Sequence, residues 1–161
     1  MKTVVLMLLG FLAPVPKTTV YLFTRTDCPI SNRYAPEVKR IYGRFAGPSM
    51  QFILVYPDRD LTADAREKHR TEYGYPMAAV GDPKHELVRK TGVRVTPEAA
   101  VFAGSQLVYR GRIDDRYVDF GQSRPAASKH DLADVLAAIK AGKIPPFWET
   151  KAIGCAIDDL R

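Results

Sequence analysis

Short runs rich in β-branched and aromatic residues alternate along the chain with longer stretches of helical periodicity. Thr19-Val-Tyr-Leu-Phe23 and Met50-Gln-Phe-Ile-Leu-Val-Tyr56 read as strands, and residues 32–45 between them as a helix. A helix over 63–73, a short strand over 77–80 and a second helix over 83–91 follow. Ala99-Ala-Val-Phe102, a Gly104-Ser turn and Leu107-Val-Tyr109 predict a hairpin, and residues 131–141 a last helix. Strands alternating with helices predict an α/β fold. Between the hairpin and the last helix lies a connection of about sixteen residues, 113–128, and loops this long are unusual unless functional. Tyr117, Phe120 and Arg124 on it are expected to wall a substrate groove; otherwise its aromatics cap the core.

Composition narrows the class. The chain has 161 residues, 46% of them hydrophobic, enough for one compact domain with an ordinary core and no disulfide staples. Its 24 basic and 18 acidic residues leave a net charge of +6, but the signs are interleaved, as in Arg66-Glu-Lys-His-Arg70. Interleaving describes a solvated face and not a phosphate-tracking stripe, so no nucleic-acid partner is expected. Met1-Lys2 followed by an apolar run to Ala13 has the shape of a secretory leader and is too short to span a bilayer comfortably. The cleavage site is poor, because Pro14-Val-Pro16 follows; the competing reading is an extra N-terminal strand. Export, periplasmic or otherwise extracytoplasmic, is favoured over a cytoplasmic location.

Candidate chemistry centres on Cys28, one of two cysteines. The turn Thr24-Arg-Thr-Asp-Cys28-Pro29-Ile30-Ser31 sits between strand and helix, which places a thiol at a helix N-terminus. Unpaired backbone N–H groups and the positive end of the helix dipole favour the thiolate there. Asp27 opposes that effect while Arg25 and Arg33 assist it. His69, His85 and His130 have no i,i+4 histidine partner, so zinc-ligand spacing is absent and each is expected at the surface or at a helix cap.

Cys28-Pro-Ile-Ser31, with Pro36 eight residues after the cysteine, resembles the redox motif and first helix of the thioredoxin superfamily, with Ser31 in place of the second cysteine. Thr96-Pro97 before the closing hairpin resembles that superfamily's cis-proline loop. The inserted helix and strand before this loop resemble the redoxin, thiol-specific antioxidant (AhpC/TSA) and TlpA-like branches. The resemblance covers about residues 18–142. It implies a thioredoxin-like fold, a central mixed sheet flanked by helices, with residues 1–17 as leader or extra strand and 143–161 as a tail carrying Cys155. It also implies site residues Cys28, Ser31, Thr96 and Pro97, with Pro29, Arg25, Tyr117 and Phe120 as groove candidates and neither cofactor nor metal.

Cys155 raises the question of pairing. The last helix is expected to run away from the active-site end, so the tail must travel back; the thirteen residues after Gly142, at ~3.3 Å each, reach roughly 40 Å, and Pro145-Pro146 favours extension. Cys155 is thus either the redox partner of Cys28 or a buried or free thiol. The leading expectation is a thiol–disulfide oxidoreductase acting on thiol- or disulfide-bearing proteins or small molecules, resolved by Cys155 or by an external reductant thiol. A peroxiredoxin-like peroxidase is the second; Arg25 stands where such enzymes carry a threonine, and Arg94, Arg110 or Arg112 would supply the guanidinium. The third is a non-enzymatic module binding Cu(I) or a partner polypeptide.

Overall fold

A computed structural model describes residues 17–158. The leader-like reading of residues 1–16 therefore lies outside the described residues. Fourteen elements follow one another: β1 (Thr18–Phe23), α1 (Pro29–Phe45), β2 (Met50–Tyr56), α2 (Ala63–Glu72), β3 (Ala78–Gly81), α3 (Glu86–Thr91), β4 (Val95–Thr96), β5 (Glu98–Ala103), β6 (Gln106–Gly111), β7 (Tyr117–Asp119), β8 (Gln122–Ser123), α4 (Asp131–Lys140), β9 (Trp148–Glu149) and β10 (Cys155–Ala156).

Six strands form the main sheet in the order β3-β2-β1-β5-β6-β9. β1 runs parallel to β2, with Val20 opposite Phe52, and antiparallel to β5, with Val20 opposite Val101. Every residue of β5 is buried, as expected for a central strand covered on both faces. Side chains alternate between those faces. On one, Val20, Leu22, Leu54 and Val101 pack with the apolar stripes of α1 (Ile30, Tyr34, Val38, Ile41, Phe45) and α4 (Leu132, Val135, Leu136, Ile139). On the other, Phe23, Val55 and Ala100 meet Val88 of α3 and Ile157 of the tail. This mixed sheet flanked by helices, with α2, β3 and α3 inserted before the Thr96-Pro97 loop, is a thioredoxin-like fold.

Three boundaries differ from the pattern-based reading. α1 begins at Pro29, not at residue 32, because proline at the first helical position loses no hydrogen bond and is already set to helical φ. α3 begins at Glu86 and not at residue 83, because the Asp82 carboxylate accepts the N–H groups of Glu86 (2.7 Å) and Val88 (2.9 Å). The 113–128 connection is not structureless: β7 and β8 pair within it, and the Asp115 carboxylate accepts the backbone N–H groups of Ser128 and Lys129. The Ser128 hydroxyl, donating at 2.6 Å, and these N–H groups hold Asp115 well below the usual carboxylate range.

The tail is ordered by pairing. β9 joins the sheet edge parallel to β6, its Trp148 tilted against Tyr109 at 5.4 Å between ring centres. The chain then returns across the end of the sheet, where β10 pairs antiparallel with β4. Among the described residues no helix is long and apolar enough to cross a membrane.

Candidate active site: two cysteines across a cis-proline loop

Cys28 is the N-cap residue of α1, with extended φ and ψ of −91° and 107°, and is 0% exposed. Its thiol donates to the Thr96 carbonyl at 3.0 Å. Thr96 and Pro97 are buried and joined by a cis bond. The Glu98 carboxylate holds this loop by accepting the N–H groups of Arg94 (2.7 Å) and Val95 (3.2 Å), and burial pushes its pKa upward.

Cys155 stands opposite Thr96 in the β10–β4 pair, and the Ile157 N–H continues the pairing to the Arg94 carbonyl at 3.0 Å. Gly154 is required at its position, since a Cβ there would lie 2.1 Å from the Thr96 carbonyl oxygen. Arg25 fastens the same segment, donating to the Ala156 carbonyl at 3.2 Å and pairing with Asp58 at 2.9 Å, Asp27 at 3.1 Å and Asp158 at 3.4 Å. The two cysteines are free thiols brought together across one peptide group.

Their acidities are driven apart. Burial pushes the Cys28 thiol up, but hydrogen bonds from the Cys155 side chain, the Ser31 hydroxyl and the backbone N–H groups of Ser31 and Cys155 favour its thiolate more, and its pKa falls below the ordinary value. The Thr96 carbonyl works the other way, since it can accept only from the neutral thiol; four donors outweigh that one acceptor. Ser31 Oγ is itself buried and without a hydrogen-bond partner of good geometry beside the neutral thiol, so it is free to turn towards a thiolate. Cys155 is pushed up to about 12 by burial, by its hydrogen bond to Cys28 and by the charge that Cys28 carries as a thiolate. The surroundings thus favour ionisation of Cys28 and hold the proton on Cys155.

The structure brings Cys28, Ser31, Thr96, Pro97 and Cys155 together. Pro29 lies exposed at the start of α1, beside the buried sulfur. Arg25 borders a cavity of ≈ 430 Å³ with Asp27, Asp58, His85 and Asp158, but its guanidinium is engaged by carboxylates and by the tail. Tyr117 is 8% exposed and packs on Tyr34 at 5.5 Å, while Phe120, 65% exposed, stands away from the core. Tyr117 and Val118 also line a cavity of ≈ 380 Å³ whose far side is Lys151 and Ile153 of the tail.

The histidine expectation needs correction for His69, which is buried and bonded to Tyr56 Oη (2.8 Å) and Asn32 Oδ1 (2.9 Å), because the rings of Tyr73 and Tyr75 enclose it. His85 is buried too, at the N-cap of α3, and His130 is exposed at that of α4. Glu37, Asp114 and His130 bring one ligand-type atom each within 4.8 Å of one another, but Arg40 holds Glu37 and the Tyr34 hydroxyl holds Asp114. Three site residues escaped the sequence pattern. Glu98 reads as a strand residue. Tyr75, whose hydroxyl faces the Ser31 carbonyl at 3.5 Å and whose pKa burial raises to about 12, carries no local signal. Gly154 did carry one, as a glycine directly before the only other cysteine.

No known family's sequence profile matches the chain, and no curated protein does. Solved structures do. The chain is similar to an uncharacterized conserved protein from Geobacillus kaustophilus, with 23% identity over 89% of this chain and 77% of that one and a TM-score of 0.71. It is similar as well to a hypothetical protein from Sinorhizobium meliloti, with 21% identity, coverage of 88% and 79%, and a TM-score of 0.72. A third is a secreted Mycobacterium tuberculosis disulfide oxidoreductase homologous to E. coli DsbE, with 17% identity, coverage of 76% and 81%, and a TM-score of 0.52. At these identities the likeness is one of fold.

Proposed function

We propose that the protein is a thiol–disulfide oxidoreductase in which Cys28 attacks as the thiolate and Cys155 resolves. The observation that carries this reading is the pair of sulfurs facing each other across Thr96 with pKa values pushed in opposite directions. Attack on a substrate disulfide makes a Cys28–substrate mixed disulfide and releases one substrate thiolate. Ser31, in the position that would hold a second cysteine, cannot resolve it; Cys155 can, by attacking Cys28 Sγ and freeing the second substrate sulfur. An external thiol reductant then restores the pair. Disulfide-oxidoreductase neighbours and a leader-like N-terminus support work outside the cytoplasm, where cysteine pairs persist.

The peroxidase reading draws less support, because two of its candidate guanidiniums are occupied: Arg110 pairs with Glu149 and Arg112 with Asp131. A Cu(I) site draws less support as well, because among the described residues no third histidine, cysteine or carboxylate joins the two sulfurs in a ligand cluster.

Steady-state reduction of a disulfide-bonded peptide, driven by a dithiol reductant, tests the proposal. Cys28→Ser is expected to lose activity at least 100-fold, and Cys155→Ser to accumulate a mixed disulfide visible by mass spectrometry. Full turnover in Cys28→Ser would overturn the reading.

A further inference from the structure

The strand that carries Cys155 covers the sulfur that a substrate must reach. Cys28 is 0% exposed, and the β4 edge beside it is bridged by Cys155 at Thr96, Ala156 at Val95 and the Ile157 N–H at the Arg94 carbonyl. Ile157 is buried among Phe23, Val55 and Val88, while Ile153 and Cys155 pack against the opposite core, so the tail straddles the end of the sheet. No substrate sulfur reaches Cys28 until this segment lifts.

Lifting it gives up the strand pairing of residues 94–96 and leaves those backbone groups to water. A small disulfide cannot re-form that pairing. An extended polypeptide can, by adding its own strand to the edge. Gly154 marks a tight position, since any side chain there would strike the Thr96 carbonyl at 2.1 Å.

Resting on the thiol–disulfide reading, we propose that residues 153–157 occupy the β4 edge in the reduced protein as an internal stand-in for substrate, that an extended polypeptide whose reactive cysteine follows a glycine displaces them, and that their return expels the product as Cys155 resolves it. Substrate strand and tail exchange places. Cys28 thiolate attacks the substrate disulfide R–S–S–R′, forming Cys28–S–S–R and releasing R′–S⁻. The tail then re-pairs, Cys155 attacks Cys28 Sγ and passes its proton to the departing substrate sulfur, and the Cys28–Cys155 bond forms as R–SH leaves. Two electrons pass from the two protein thiols to the substrate, and a dithiol reductant returns them. Resolution and release are one event, because both strands need the same backbone partners.

Full-length Cys155→Ser carrying a mixed disulfide between Cys28 and the peptide acetyl-Ala-Ile-Gly-Cys-Ala-Ile-amide tests the exchange by hydrogen exchange at the Ile157 amide. Protection of that amide is expected to fall at least tenfold on loading, and the Gly-Cys peptide disulfide to react at least tenfold faster than its Val-Cys counterpart. Unchanged Ile157 protection in the loaded protein, or equal rates for the two peptides, would overturn the docking edge while leaving the thiol chemistry standing. Failure of Cys28 to form a mixed disulfide with any disulfide, peptide or small aromatic, would take down both. In the unloaded full-length protein, Gly154→Val is expected to speed Cys28 alkylation by iodoacetamide at least tenfold with circular dichroism unchanged; an unaltered rate in that folded variant would also overturn the proposal.

Discussion

The division of labour between the two sulfurs comes down to who donates to whom. As a thiolate Cys28 is stabilised by hydrogen bonds from Cys155 and Ser31, whereas Cys155 donates its own and lies beside a charge of the sign it would acquire. Titration of thiolate absorbance is therefore expected to show one cysteine ionising below its ordinary value and the other staying protonated up to about 12. Removing a donor to the thiolate raises its pKa, so Ser31→Ala and Cys155→Ala should each move the first midpoint upward. A single midpoint near 8.5 for both sulfurs would contradict this account. The depressed Cys28 pKa stabilises the fold at pH above the unfolded value and loses that contribution as pH falls through the folded value; the raised Cys155 pKa costs stability above the unfolded value.

Elements built from apolar periodicity are held by it, and the seam between α1 and α4 is the clearest case. Leu136 is 0% exposed, packed with α1 and the sheet. Leu136→Ala should cost about 2–5 kcal/mol in denaturant unfolding, while Phe120→Ser, at an exposed hairpin tip, should stay within about 0.5 kcal/mol. The same distinction decides what was legible beforehand. β2 coincides with the run from Met50 to Tyr56, because alternation and burial are one signal there. The start of α3 and the hairpin in the 113–128 connection depend instead on the carboxylates of Asp82 and Asp115 reaching particular N–H groups, and no hydrophobic pattern records that. At the site, Cys28 and Thr96-Pro97 stood out by position next to strands. The place of Cys155 did not, because it depends on where the chain goes after Pro145-Pro146, and that path is fixed by pairing with β6 and then β4.

Taken as one molecule, the chain leaves its fold and returns to it: among the described residues every helix, and every strand from β2 to β9, lies between Cys28 and Cys155. A bond between these sulfurs would close a ring of roughly 130 residues, and constraining so long a loop in the unfolded chain is worth about 4–5 kcal/mol where the native geometry is unstrained. The oxidised protein should accordingly melt about 10 °C above the reduced one, in scans of both forms, and Cys155→Ala should show no such difference. Equal melting points for the two forms of the parent protein would contradict the ring. The same free energy acts in reverse on the redox couple. Whatever oxidation adds to the fold, the fold adds to the difficulty of reduction, about 100 mV at 30 mV per 1.4 kcal/mol, relative to the same cysteines in an unfolded chain. Loop closure alone thus biases the pair towards the reducing end of the thiol scale, where it surrenders electrons readily and needs a strong donor to be recharged.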